Sequence, residues 1–244
     1  MALAINPVLR LCALILATYL WAGPPAQAED IKYGRFEEFT LYNADHRPLQ
    51  DKVIFMFHGF GSAMPNGAYE RVHRAFAKEF SVVGFNYDYF DLAANDTIMD
   101  LVWEWVLKGR NITFAGTSLG GFWANYYGEK YGVERVMIIN PVVAPVEQLS
   151  QFIGKHYIKK RGYELEVTQA DIDRHTDRAA PPVPGIERLV ILSRDDAVLD
   201  YRLAEAAYTL EGTELVLFDD GGHTVDIAQE RYLELLRGFL FDGE

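Results

Sequence analysis

The stretch Gly116-Thr117-Ser118-Leu119-Gly120 sets a serine between two glycines, each two positions away, after an apolar run and before a helix-like pattern. A serine hydroxyl is a weak nucleophile at neutral pH; a neighbouring base activates it, and a carboxylate orients that base. Between a strand and a helix, G-x-S-x-G is the spacing of a nucleophile elbow, a strained turn that leaves no room for side chains at the glycine positions. Gly121 extends the small-residue run. A serine capping a Gly-rich turn would give the same letters without the chemistry, so the reading needs a base and an acid elsewhere.

The candidate base is His223, in the Gly-rich loop Asp219-Asp220-Gly221-Gly222-His223-Thr224, directly after the apolar run Glu214 to Phe218. The candidate acids are Asp195 and Asp196, just past the apolar run Arg188 to Ser193. Asp196 is favoured, because the Ala197-Val198 that follows leads into the next helix, whereas Asp195 reads as a turn residue. Asp200 and Asp219 are further alternatives, with a helix cap and a surface turn as their plain readings. The chain order serine, acid, histidine is one in which this triad occurs.

An acyl-transfer oxyanion takes two N–H donors, one from the residue after the nucleophile and one from the first strand-to-helix loop. Those donors are the backbones of Leu119 and Phe60, the latter in Phe57-His58-Gly59-Phe60-Gly61. His58 reads as a residue bracing that loop. The six histidines include His46, His58, His73, His156 and His175 besides His223, and for these five an ordinary surface position is the leading reading. No second ligand stands three or four residues from His58, so no metal is expected, and no cofactor either.

The elements that must carry these residues are legible as an alternation. Val53 to Phe57, Ser81 to Phe85, Asn111 to Ala115, Arg135 to Asn140, Arg188 to Ser193 and Glu214 to Phe218 are short, β-rich and almost continuously apolar, as strands buried on both faces are. Stretches of helical spacing separate them, which predicts an α/β fold with a mostly parallel sheet covered on both faces. All three candidates then follow the carboxyl ends of strands, where such sheets gather ligands. The segment from Pro145 to Gly185 lacks a strong strand and reads as a short helical, lid-like insertion, and "GRFEEFTLYN" as an added antiparallel edge strand. Trp103 and Trp105, two apart on one helix, cannot both face the core.

Residues 1–28 read as a signal peptide: Arg10, the apolar run Leu11 to Gly23, and Ala26 and Ala28 as a cleavage site. Residues 29–244 then form a single domain without a stable membrane anchor. Cys12 is the only cysteine of the 244 residues, so the exported chain takes no disulfide. The net charge of −12, without a basic stripe, argues against a nucleic-acid partner.

Together, "HGFGS", "GTSLGGFWANYYGEKYG", "INPVVAPVEQLSQFIG", "DDAVLDYRLAEAAY" and "DDGGHT" resemble a known family, the YqiA-type small α/β hydrolases, which are serine esterases. The resemblance covers most of Val53 to Leu240 and implies an α/β-hydrolase fold with Ser118 as nucleophile, Asp196 as acid and His223 as base. It also implies a bacterial source, and with the leader a periplasmic location. This chain departs from the family in its leader and its extra N-terminal strand, and matches poorly between Met64 and Asn111.

The expected activity is hydrolysis of a small-molecule acyl ester or thioester through an acyl-enzyme on Ser118. An acyltransferase using the same triad, with the insertion excluding water, is a second reading, and a binding protein that keeps the fold without the chemistry is a third. Acyl length, leaving group and oligomeric state are left open by the residues.

Overall fold

The computed structural model describes residues 39–45 and 48–241; the expected signal peptide and His46 lie outside them. A seven-stranded sheet has the order β1-β3-β2-β4-β5-β8-β9. Its strands are β1 (Thr40–Tyr42), β2 (Lys52–Phe57), β3 (Ser81–Asn86), β4 (Asn111–Thr117), β5 (Arg135–Ile139), β8 (Glu187–Ser193) and β9 (Thr213–Phe218). All neighbouring pairs are parallel except β1 on β3, the antiparallel edge expected from sequence.

The near-continuous apolarity of the strands follows from their burial on both faces. Along β2, Val53, Phe55 and Phe57 enter one core, whereas Ile54 and Met56 enter the other; β8 divides Val190 and Leu192 from Leu189 and Ile191 in the same way. Period-two geometry sends alternate side chains to opposite faces. Helices α1 (Gly67–Phe76) and α7 (Glu230–Phe241) cover the second core, while α2 (Leu92–Val102), α3 (Leu119–Tyr131) and α6 (Tyr201–Ala207) cover the first. Helix α2 continues into a π-helical turn, Trp103–Leu107. There Trp103 stacks on Tyr131 at 4.8 Å and Trp105 is 59% exposed, so one indole packs and the other faces water.

Arg188 is fully buried on β8. Its guanidinium meets Glu129 Oε1 at 2.7 Å and Asn125 Oδ1 at 2.9 Å, both on α3, and the Val183 carbonyl at 2.8 Å. A buried charge is tolerable with that degree of pairing.

The segment after β5 contains short helices, α4 (Pro145–Leu149) and α5 (Gln169–Asp173), and between them an antiparallel hairpin of β6 (Gly154–Ile158) and β7 (Tyr163–Val167). The insertion is therefore helical only in part. Lys155, Tyr157, Glu164 and Glu166 point to solvent while Ile158 and Val167 are buried, and a ribbon with one polar face has no continuous apolar run to announce it.

Candidate active site

The elbow is built as its glycines require. Ser118 directly follows β4 with φ 59 and ψ −124, a conformation that costs a non-glycine residue on the order of 1–3 kcal/mol and persists only where the surroundings enforce it. The enforcement is visible in the backbone: Ser118 N–H donates to Ile139 O at 3.0 Å, and Ser118 O accepts from the N–H groups of Gly121, Phe122 and Val142. A Cβ on Gly116 would lie 2.1 Å from Gly120 O, and one on Gly120 would lie 2.2 Å from Phe57 O. A Cβ on Gly121 would meet Pro141 at 2.8 Å. Glycine at these positions is thus a packing requirement of the turn.

His223 follows β9 and Asp196 follows β8. Asp196 Oδ2 lies 2.8 Å from His223 Nδ1; its side chain is 1% exposed and that of the histidine 20%. Burial pushes the Asp196 carboxyl up, but the His223 hydrogen bond and the N–H groups of Leu199 and Val198 together outweigh it and hold the group below the usual aspartate range. A carboxylate on Nδ1 makes that nitrogen the proton donor and leaves Nε2 as the lone pair. Asp195 Oδ1 instead accepts the Gly222 N–H at 2.7 Å. The two adjacent acids therefore divide the work, one holding the imidazole and one the backbone of its loop.

Residues 139–142, just past β5, tie the elbow to the histidine loop. Asn140, at φ 42, donates through Nδ2 to Gly222 O at 2.9 Å and His223 O at 3.1 Å, and its Oδ1 accepts the Ser193 N–H. Nothing in the letters "INP" announces this role. The Ser118 hydroxyl makes no hydrogen bond among the described residues.

β2 pairs with β4 so that Phe57 is opposite Gly116, which sets the 58–61 loop beside the elbow. Among the described residues, the N–H groups of Phe60 and Leu119 have no hydrogen-bond acceptor. Phe60 packs under the insertion, 5.2 Å from Phe152 and 5.5 Å from His156 between ring centroids. Gln151 Nε2 reaches Val198 O at 2.8 Å on the acid's side. The insertion thus touches both the Phe60 loop and the Asp196 loop.

Two histidines depart from the surface expectation. His58 is 1% exposed and His175 is fully buried; burial, reinforced by the Arg161 charge, pushes His58 down to about 3, and burial also lowers His175. His73 pairs with Asp45, and His156 Nε2 lies 2.6 Å from Phe152 O. Among the described residues no three His, Cys, Asp or Glu side chains come together as a metal site, and no helix is long and apolar enough to cross a membrane. A cavity of about 510 Å³ opens between α3 and α6, and none of Ser118, Asp196 and His223 lines it.

The sequence profile of the family described as "Uncharacterised protein family (UPF0227)" matches residues 53–240. The structure is similar to a monoacylglycerol lipase of Paleococcus ferrophilus, with a TM-score of 0.62 and 13% identity over 83% of this chain and 97% of that one. It is also similar to Est1E from Butyrivibrio proteoclasticus, at TM-score 0.60 and 16% identity over 83% and 92%. An esterase domain of a Rhodothermus marinus protein aligns at TM-score 0.56 and 14% identity over 81% and 89%. The fold is that of the α/β hydrolases.

Proposed function

The chain belongs to the uncharacterised protein family UPF0227, the YqiA-type α/β hydrolases, and we propose that it is a serine-dependent hydrolase of small carboxylic esters or thioesters. The observation that carries the reading is the 2.8 Å contact of the buried Asp196 carboxylate with His223 Nδ1, on a loop tied to the same turn as the strained Ser118. In this mechanism Ser118 Oγ attacks the substrate carbonyl while its proton passes to His223 Nε2. The carbonyl π electrons move to oxygen, and the N–H groups of Phe60 and Leu119 hold that charge. Collapse of the tetrahedral species expels the alcohol or thiol, which takes the proton from His223, and water releases the acid by the same steps in reverse order. Asp196 keeps the imidazole in the Nδ1–H tautomer and stabilises the imidazolium.

The test is labelling of the purified protein with a fluorescent fluorophosphonate, alongside hydrolysis of a short aryl ester. Labelling at one site per chain that vanishes in Ser118→Ala and falls sharply in His223→Ala supports the reading. A well-folded wild type that takes no label and hydrolyses no ester refutes it. Residues 1–28 are proposed to export the protein to the periplasm; an N-terminus at Glu29 on the periplasmic protein is the expected result, and an intact Met1 on a cytoplasmic protein refutes export.

A further inference from the structure

We infer that Arg161, at the tip of the insertion hairpin, is a positioning residue that aims the Phe60 N–H at the oxyanion by acting through His58. This rests on the esterase reading above and adds to it a residue 103 positions from the loop it serves. The hairpin tip is tight: the N–H groups of Arg161 and Gly162 both donate to Ile158 O, and Gly162 has φ 72. From there the Arg161 guanidinium reaches the base of the oxyanion loop. Its Nη2 lies 2.9 Å from His58 Nε2 and 2.7 Å from Tyr87 O, and it sits 4.7 Å over the Tyr89 ring.

A guanidinium only donates hydrogen bonds. His58 Nε2 facing it must therefore be the unprotonated nitrogen, and the ring proton sits on Nδ1, which donates to Gly59 O at 2.9 Å. The imidazole has no freedom to do otherwise, since it stacks on Tyr87 at 4.3 Å and 8°, and the His58 carbonyl accepts the Tyr87 hydroxyl at 2.5 Å. Gly59 O also takes the Ser62 N–H at 3.3 Å.

Gly59 C=O and Phe60 N–H belong to one peptide plane, and in a trans peptide they point in opposite directions. Fixing Gly59 O on the imidazole therefore fixes the direction of the Phe60 N–H. Loss of Arg161 frees the Nδ1-unprotonated tautomer, in which two lone pairs face each other, and the peptide, bounded by Gly59 and followed by Gly61, is left with the long Ser62 N–H contact as its hold and gains freedom to rotate. The insertion thus contributes to the donor geometry of the transition state as well as covering the site.

The experiment compares wild type, Arg161→Met and Arg161→Lys for kcat and KM on an aryl ester, with thermal midpoints and amide hydrogen exchange over residues 58–62. Removing one oxyanion donor typically lowers kcat by about 10²–10³-fold, and a misaimed donor is expected at the lower end. Arg161→Met should lose about 100-fold in kcat with KM within about twofold and faster exchange confined to the loop. Arg161→Lys, which keeps a donor to Nε2, should recover part of the loss. Unchanged kcat in both variants, or a loss confined to KM, overturns the inference. An active, fluorophosphonate-labelled wild type beside an unaffected Arg161→Met refutes the positioning alone, whereas an unlabelled, inactive wild type refutes the esterase reading beneath it.

Discussion

Lowering the pH from 7 to 5 should destabilise the fold, with a contribution from His58 that can be isolated. In the folded protein this imidazole is held neutral, down to about 3 from an ordinary 6.5, by burial first and by the Arg161 charge second. In the unfolded chain it titrates near the ordinary value. Above 6.5 neither state carries the proton and the full stability is present. As pH falls below 6.5 the unfolded chain binds a proton that the folded chain refuses, so stability declines until the pH reaches about 3. Each pH unit in that window is worth about 1.4 kcal/mol, so His58 alone accounts for about 2 kcal/mol between pH 7 and pH 5. His175, also lowered by burial, acts with the same sign, so the wild-type slope is not a clean measure. The difference in slope between wild type and His58→Gln is, because a constant offset in stability between the two proteins cancels. Urea denaturation at pH 7, 6 and 5 should give a wild-type curve steeper than the variant's by one proton. Parallel curves would show that the folded His58 titrates normally and that the Arg161 contact does not bury it as a neutral ring.

Asp196→Asn should lower kcat for ester hydrolysis by about 10³–10⁴-fold, the scale on which a wrong imidazole tautomer acts. Asp195→Asn, which loses only an acceptor for the Gly222 N–H, should cost less than about tenfold; a reversed ranking in steady-state kinetics would reassign the acid. Gly120→Ala places a Cβ 2.2 Å from Phe57 O and 2.7 Å from His58 O, both backbone atoms that cannot swing away, so a loss of about 3 kcal/mol, the upper end for overpacking, is expected, read as a collapse of soluble yield or of the urea midpoint. Glu129→Ala strips the carboxylate from the fully buried Arg188 and should cost about 3 kcal/mol while leaving kcat per folded molecule near the wild-type value.

What could be read from the letters divides along physical lines. Strands such as Val53 to Phe57 announce themselves because both faces are buried, and the elbow does so because Gly116, Gly120 and Gly121 each answer a contact with backbone or with Pro141. The choice of Asp196 over Asp195 rested on local cadence; the structure places the first on the imidazole and the second on the loop backbone. The β6–β7 hairpin is illegible because alternate side chains along each strand face water. His175 read as a surface residue because nothing near it in sequence predicts that Phe90, Phe122 and Trp123 will close around it. The Arg161 contact lies at the extreme of this class, since a lysine-rich turn gives no sign that its one arginine reaches a histidine 103 residues earlier.

β4 and β9, which Ser118 and His223 follow, are separated in the sheet by β5 and β8, so their relative placement cannot come from direct pairing. It comes from the residues that leave β5. Ile139 O takes the Ser118 N–H and Val142 N–H goes to Ser118 O, while between them Asn140 bonds the carbonyls of Gly222 and His223 on one side and Ser193 N–H on the other. Asn140 sits at φ 42, one of the two non-glycine residues with positive φ among those described, and the other is Ser118 itself. Strain of this kind persists where surrounding bonds over-determine it, and here the two strained residues lie on adjacent turns, after β4 and after β5, that hydrogen bonds cross-link. The insertion starts a few residues further on, at α4, and returns to the Phe60 loop through Phe152 and to His58 through Arg161. Ser118, His223 and the Phe60 loop are therefore all referenced to the segment that leaves β5, and a shift of that segment would displace all three together.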